Sequence, residues 1–122
     1  MSLLSSSVRD CMIHAPEETS PGVWETSFIF AADFCGFDGH FPGDPMLPGV
    51  AQIMASAYTA SGERAMRIKQ IGRTKFMNMV RPGDSLHVRA KVTPVNDGVA
   101  VIADCSINGE PCAQVKLVLG LR

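Results

Sequence analysis

Residues 36–50 read Gly36-Phe37-Asp38-Gly39-His40-Phe41-Pro42-Gly43-Asp44-Pro45-Met46-Leu47-Pro48-Gly49-Val50, and this run constrains the chain more than any other. Its three prolines fix φ and its four glycines allow φ values closed to other residues, so His40 is held in stiff backbone instead of on a loose loop. A chain presents a base in this way. The run ends on a helix start, because Pro48 suits the first helical position, where its missing N–H costs nothing.

Around this run the pattern is strand-rich with one helical interruption. Residues 8–15 and 23–32 read as extended runs joined by the turn-forming stretch 16–22. Residues 48–61 read as a helix that Gly62 stops. Val50, Ile53, Met54, Ala57 and Ala60 recur at helical spacing, which predicts a buried helix, and Ala51, Ala55, Ser56 and Ala57 are small enough for close approach to a sheet. Residues 68–80, 85–94, 99–108 and 112–121 give four more strands, punctuated by Pro82-Gly83-Asp84, Asn96-Asp97-Gly98 and Asn108-Gly109. Two strands, a helix and four strands imply an α+β domain, an antiparallel sheet of about six strands wrapped round one central helix.

With 122 residues and 46% hydrophobic content, the chain is expected to be a single domain over 1–122, small for burying a ligand tunnel alone. A pocket shared between subunits of a homodimer, or of an assembly of such dimers, follows from the sheet edge and helix end that one copy leaves unburied. No apolar run is long enough to span a bilayer, and residues 1–10 lack the basic start and apolar middle of a signal peptide, so the expected place is the cytoplasm, away from membranes. Cys11, Cys35, Cys105 and Cys112 show no metal-ligand spacing and read as reduced, packed thiols; neither a metal nor another cofactor is expected.

The net charge of −1 hides an asymmetry: Asp10, Glu17, Glu18, Glu25, Asp33, Asp38 and Asp44 crowd residues 1–44, whereas Arg64, Arg67, Lys69, Arg73, Lys75, Arg81, Arg89 and Lys91 crowd residues 64–91. The basic stretch is either a solvated strand face or a field that steers an acidic partner. Nucleic acid is not expected, since one Tyr and one Trp make no stacking platform.

A neutral imidazole with a pKa of about 6.5 suits removal of a weakly acidic proton at neutral pH, which makes His40 the candidate base. The helix start at Pro48-Gly49-Val50 offers unpaired N–H groups and a positive dipole end, and Gly49 has no Cβ to obstruct a ligand. His14 and His87 sit in predicted strands without patterned partners and read as ordinary strand histidines.

The segment GHFPGDPMLPGV resembles the active-site segment of the FabA/FabZ-type 3-hydroxyacyl-acyl-carrier-protein dehydratases, most specifically at His40, Pro45, Pro48 and Gly49. Residues 74–86, with the Pro82-Gly83-Asp84 turn, resemble that family's entry into its fourth strand. The resemblance implies the hotdog fold and dehydration of a 3-hydroxyacyl thioester carried on the phosphopantetheine of an acyl carrier protein. It implies His40 as base, the Gly49 N–H, with that of Val50, as oxyanion donor, and a carbonyl near Met46 that orients the histidine. Phe41, Met46, Pro48, Val50 and Met54 would then line the substrate, with His40 of one subunit facing Met54 of the other. The chain departs from the family at the third task, protonation of the leaving hydroxyl. Fourteen residues after the histidine the family carries Glu or Asp where this chain has Met54, and the family's glutamine one turn on is replaced by Tyr58. Tyr58, or a water it holds, is the candidate donor; the plainer reading is a packed aromatic. Two alternatives remain beside the dehydratase: a non-catalytic acyl-thioester or acyl-carrier-binding subunit, and an acyl-thioesterase relying on Asp33, Asp38 or Asp44.

Overall fold

The computed structural model describes residues 3–37, 47–62, 64 and 66–121. The elements run α1 (Leu3–Asp10), β1 (Glu17–Ser20), β2 (Val23–Ile29), a 3-10 turn at Cys35–Phe37, α2 (Gly49–Ser61), β3 (Met66–Phe76), β4 (Ser85–Val95), β5 (Gly98–Ile107) and β6 (Glu110–Leu121). All strand pairs are antiparallel, in the order β1-β2-β4-β5-β6-β3. The six-stranded sheet on one long helix matches the expected architecture.

The strand expected over residues 8–15 does not form. Residues through Asp10 belong to α1, whose end turns through Cys11 N–H to the Val8 carbonyl (3.0 Å) and Met12 N–H to the Arg9 carbonyl (3.1 Å). The deciding pattern is Val8, Cys11 and Met12: helical spacing brings the fully buried Val8 and the two half-buried side chains onto the core together. Met12 keeps one isolated bridge to Phe28. The first strand instead lies inside the stretch read as a turn, and the β1–β2 hairpin closes tightly at Pro21-Gly22, with Gly22 at φ 76°.

Elsewhere the turn residues act as expected. Asn108 (φ 51°) and Gly109 (φ 82°) are both left-handed, the requirement of a two-residue type I′ hairpin, and join Ile107 to Glu110. Strand β3 stops at Phe76, short of the expected residue 80, and the chain then returns through the Pro82-Gly83 turn, where the Arg81 N–H donates to Asp84 Oδ2 at 2.9 Å.

Helix α2 lies on the sheet, but not by the face that its large apolar residues suggest. Ala51, Gln52, Ala55, Ser56, Thr59 and Ala60 are buried against the strands, where small side chains permit close approach. The hydroxyls on that face satisfy themselves within the helix, Ser56 donating to the Gln52 carbonyl (2.9 Å) and Thr59 to the Ala55 carbonyl (2.8 Å). Ile53, Met54, Ala57 and Tyr58 are only half-buried and Val50 is exposed, so the bulky face points away from the sheet.

On the far side of the sheet the register sets Glu25 beside Arg89, Arg89 beside Asp104, Asp104 beside Gln114 and Gln114 beside Lys75, an alternating polar row across five strands. Gln114 donates to Asp104 at 3.1 Å. This row marks the solvent face. The other face carries the core, in which Phe28, Phe30, Leu86, Val88, Val101, Val115 and Leu119 are essentially inaccessible.

Candidate active site

The segment that carries His40 is anchored at both borders. On its N-terminal side four aromatic rings follow one another from β2 into the 3-10 turn: Phe28 on Phe30 (6.1 Å), Phe30 on Phe34 (4.9 Å) and Phe34 edge-on to Phe37 (5.7 Å). All four are buried. On its C-terminal side Leu47 is buried and its N–H donates to the Val80 carbonyl at 2.7 Å. The Pro82-Gly83 turn is tied to the residue after β2 by the Gly83 N–H, which donates to the Phe30 carbonyl at 2.8 Å. His40, Phe41 and Met46 themselves, with Asp38 and Asp44, lie outside the described residues.

Helix α2 starts one residue later than expected. Pro48 is its cap, extended at φ −61° and ψ 146°, and Gly49 is the first helical residue. The Pro48 carbonyl takes the Ala51 N–H at 3.0 Å, and no side chain caps the terminus. The N–H groups of Gly49 and Val50 therefore stand ahead of the helical ladder, where the dipole favours negative charge. Gly49 is also a packing requirement: a Cβ there would come within 2.6 Å of Phe76 Cζ.

Met54 and Tyr58 fall one turn apart on the half-buried face, as their spacing requires. Gln52 is on the other face, with its side-chain oxygen 3.8 Å from the Cys112 sulfur, and cannot stand in for a carboxylate at position 54. Asp33 is exposed. Three thiols are poor nucleophiles: burial pushes Cys105 up to about 12 and Cys112 up to about 11, and burial, with Asp10 adding, raises Cys11. A cavity of about 380 Å³ opens between the β3–β4 connection and the β5–β6 hairpin, with Asn78, Arg81, Asp84 and Glu110 among its lining residues. Gly49, Met54 and Tyr58 do not line this cavity.

Two histidines have partners that sequence spacing does not reveal: His14 Nδ1 lies 2.9 Å from the Ala15 carbonyl and 3.3 Å from the Thr26 hydroxyl, and His87 is held at both ring nitrogens. His87 accepts or donates at both nitrogens, Nε2 lying 2.7 Å from Glu25 Oε1 and Nδ1 lying 3.1 Å from the Ser27 hydroxyl. The signal appears only with register, which places Ser27 directly across from His87 and Glu25 two residues along the same strand. Thr19 donates to Glu25, and this bond, with the His87 contact second, holds the Glu25 carboxyl below its ordinary range. The cluster sits on the solvent face, away from α2.

A family model described as ApeI-like, ApeI dehydratase, matches residues 16–115. The chain belongs to the ApeI-like dehydratase family. Among curated proteins it is similar to the 3-hydroxyacyl-acyl-carrier-protein dehydratase FabZ of Latilactobacillus sakei, 34% identical over 91 residues that cover 66% of this chain and 65% of that protein. The same enzyme of Polynucleobacter necessarius is 36% identical over 96 residues, covering 70% of this chain and 64% of the relative. The chain thus spans slightly less than two thirds of the length of these relatives. Among solved structures, the dehydratase heterocomplex ApeI:P of Xenorhabdus doucetiae superposes with a TM-score of 0.70 at 24% identity, over 89% of this chain and 96% of that one. A hypothetical thioesterase with coenzyme A from Streptococcus pneumoniae superposes with a TM-score of 0.71 at 7% identity, over 98% of this chain and 94% of that one. These likenesses establish the hotdog fold for this ApeI-like chain.

Proposed function

We propose that this ApeI-like protein is a 3-hydroxyacyl-thioester dehydratase of fatty-acid or related acyl-chain biosynthesis, a single hotdog domain working in the cytoplasm as a homodimer on acyl groups carried by an acyl carrier protein. The observation that carries the reading is the uncapped start of α2 at Gly49, which in sequence follows a histidine segment whose flanking residues Phe37 and Leu47 are both buried, in a chain of this family. His40 takes the α-proton, and its electron pair moves toward the thioester carbonyl, whose oxygen is met by the Gly49 and Val50 N–H groups. As the Cβ–O bond breaks, the hydroxyl leaves with one proton as water and a 2-enoyl thioester remains. In the absence of a carboxylate at position 54, the proton taken by His40 is the one returned to the hydroxyl, directly or through Tyr58 or a water, so the base is regenerated.

A second copy completes the site. Strand β3 is one edge of the sheet, and its core-facing Ile68 and Ile71 are exposed by 39 and 52%. With Val50 and the half-buried Ile53, Met54 and Tyr58 of α2, they are apolar surface of the kind that a twofold partner covers. The basic residues 64–91 give an acidic carrier protein its long-range attraction. The four free thiols and the lack, among the described residues, of a helix long and apolar enough to cross a membrane accord with the cytoplasm.

The test is incubation with 3-hydroxyacyl and 2-enoyl thioesters, on carrier protein and on coenzyme A, with mass detection. Loss or gain of one water is expected; release of free thiol would replace this reading with the thioesterase. Met54 favours one other reading, a binding subunit that acts beside a homologous chain able to supply the carboxylate, as the related Xenorhabdus doucetiae dehydratase is a heterocomplex. Inertness alone, with turnover on mixing with such a homologue, would identify that arrangement.

A further inference from the structure

Phe76 ends the edge strand, opposite Ala113 of β6, and the next residue is pinned by the Met77 N–H to the Cys112 carbonyl at 2.8 Å. Its ring reaches over the first turn of α2. A Cβ at Gly49 would lie 2.6 Å from Cζ, 2.9 Å from Cε2 and 3.2 Å from Cε1, so the far edge of the ring fills the slot that glycine leaves. Yet the residue is 49% exposed, on the same open side as Val50 at 44%. A core ring would be covered, and a surface ring would not need a glycine beneath it. Half-seated against Gly49 and half-open, this ring is a wall beside the amide that the thioester oxygen approaches.

We propose that Phe76 is a specificity-determining residue, its ring setting how much bulk an acyl group can carry on the carbon next to the thioester carbonyl; this rests on the reading of Gly49 as oxyanion donor. A carbonyl oxygen directed at the Gly49 N–H brings the α-carbon beside the ring edge. An unbranched α-carbon passes along the flat apolar surface, whereas an α-methyl group meets it. The reaction still requires one α-proton, so a 2-methyl-3-hydroxyacyl thioester is chemically competent and is refused on shape alone. A single methyl at such a wall discriminates by about 10- to 200-fold.

The experiment compares 3-hydroxybutyryl- and 2-methyl-3-hydroxybutyryl-pantetheine on the full chain, as the ratio of kcat/KM, for the wild type, Phe76→Leu and Phe76→Ala. The wild type is expected to prefer the unbranched substrate by a factor in that range, Phe76→Ala to reduce the preference at least tenfold by gaining on the branched substrate, and Phe76→Leu to fall between. A preference unchanged in Phe76→Ala, or no preference in the wild type, overturns the proposal. Should Phe76→Ala fail to fold, Phe76→Leu decides alone, and must narrow the ratio. A protein that turns over neither substrate refutes the dehydratase reading but still tests the wall: butyryl and isobutyryl pantetheine amides are titrated against the Gly49 amide resonance. Preference for the straight-chain amide that Phe76→Ala abolishes supports the proposal; equal response, or none at Gly49, overturns it.

Discussion

If position 54 lacks only the proton donor, Met54→Glu should raise the dehydration rate. Met54 is half-buried on the open face of α2 with Ile53, Ala57 and Tyr58 beside it, so a carboxyl there enters an apolar setting that disfavours its charged form and keeps a protonated fraction at neutral pH. A well-placed general acid is worth about 100- to 10,000-fold, equivalent to about 2.7–5.4 kcal/mol of barrier. The opposing cost is an under-satisfied carboxyl, about 1–3 kcal/mol when fully desolvated. Partial exposure puts position 54 near the lower end, and a loss of 1 kcal/mol moves the midpoint by about 4 °C in a domain of this size. Rates on a 3-hydroxyacyl thioester and thermal unfolding are measured on the same preparation. A folded, correctly assembled Met54→Glu with an unchanged or lower rate refutes the idea of an otherwise complete site, and Tyr58→Phe then tests the remaining proton route.

His40→Ala should slow turnover by about 100- to 10,000-fold with unchanged thermal stability, and an unaffected rate removes His40 from the chemistry. Ile71→Lys, a charge on the exposed edge strand, should lower the mass seen by light scattering at micromolar protein from dimer to monomer; an unchanged mass refutes β3 as the interface. Glu25 is held below its ordinary value of 4.5, so its contribution to stability is present above that pH and is lost as pH falls through the lower folded value. Denaturant titrations should therefore show wild type above Glu25→Gln at pH 6 and the two converging in acid; a constant gap contradicts the Thr19 and His87 contacts. Gly62→Ala should destabilise by about 1 kcal/mol or more, because φ is 58° at this helix end and a Cβ would meet the Trp24 ring at 3.0 Å; an unchanged unfolding midpoint would show that the helix end is not so constrained.

The strands and turns were legible where local chemistry decides them. Asn108-Gly109 can form little else than a tight hairpin, and Gly62 with φ above zero ends α2 where expected. Residues 8–15 do not form the expected strand because Val8, Cys11 and Met12 fit a short helix and a strand almost equally over so few residues, and tertiary packing chooses between them. The orientation of α2 was hidden for a different reason. Its large apolar residues point away from its own sheet, a pattern that reads as a buried stripe unless a second covering surface is considered. At the candidate site, the helix start and the Met54–Tyr58 face follow from spacing alone. Phe76 over Gly49 and His87 between Ser27 and Glu25 do not, since both depend on strand register, which links residues far apart in sequence.

Register also has a temporal consequence. Strand β3 has a single neighbour in the sheet, β6, which is synthesised after the other five strands. While β4 and β5 are being made, Phe76 has no Ala113 to pair with and Met77 no Cys112 carbonyl to bind, so the wall over Gly49 cannot stand. During that interval Arg67, Lys69, Arg73 and Lys75 and the register shifts within β3 protect a bare strand edge from pairing with other nascent chains. The order of translation thus delays the seating of Phe76 against Gly49 until β6 is made, and a ribosome-bound chain stopped before Glu110 should show no protection of the Met77 amide, whose partner is the Cys112 carbonyl.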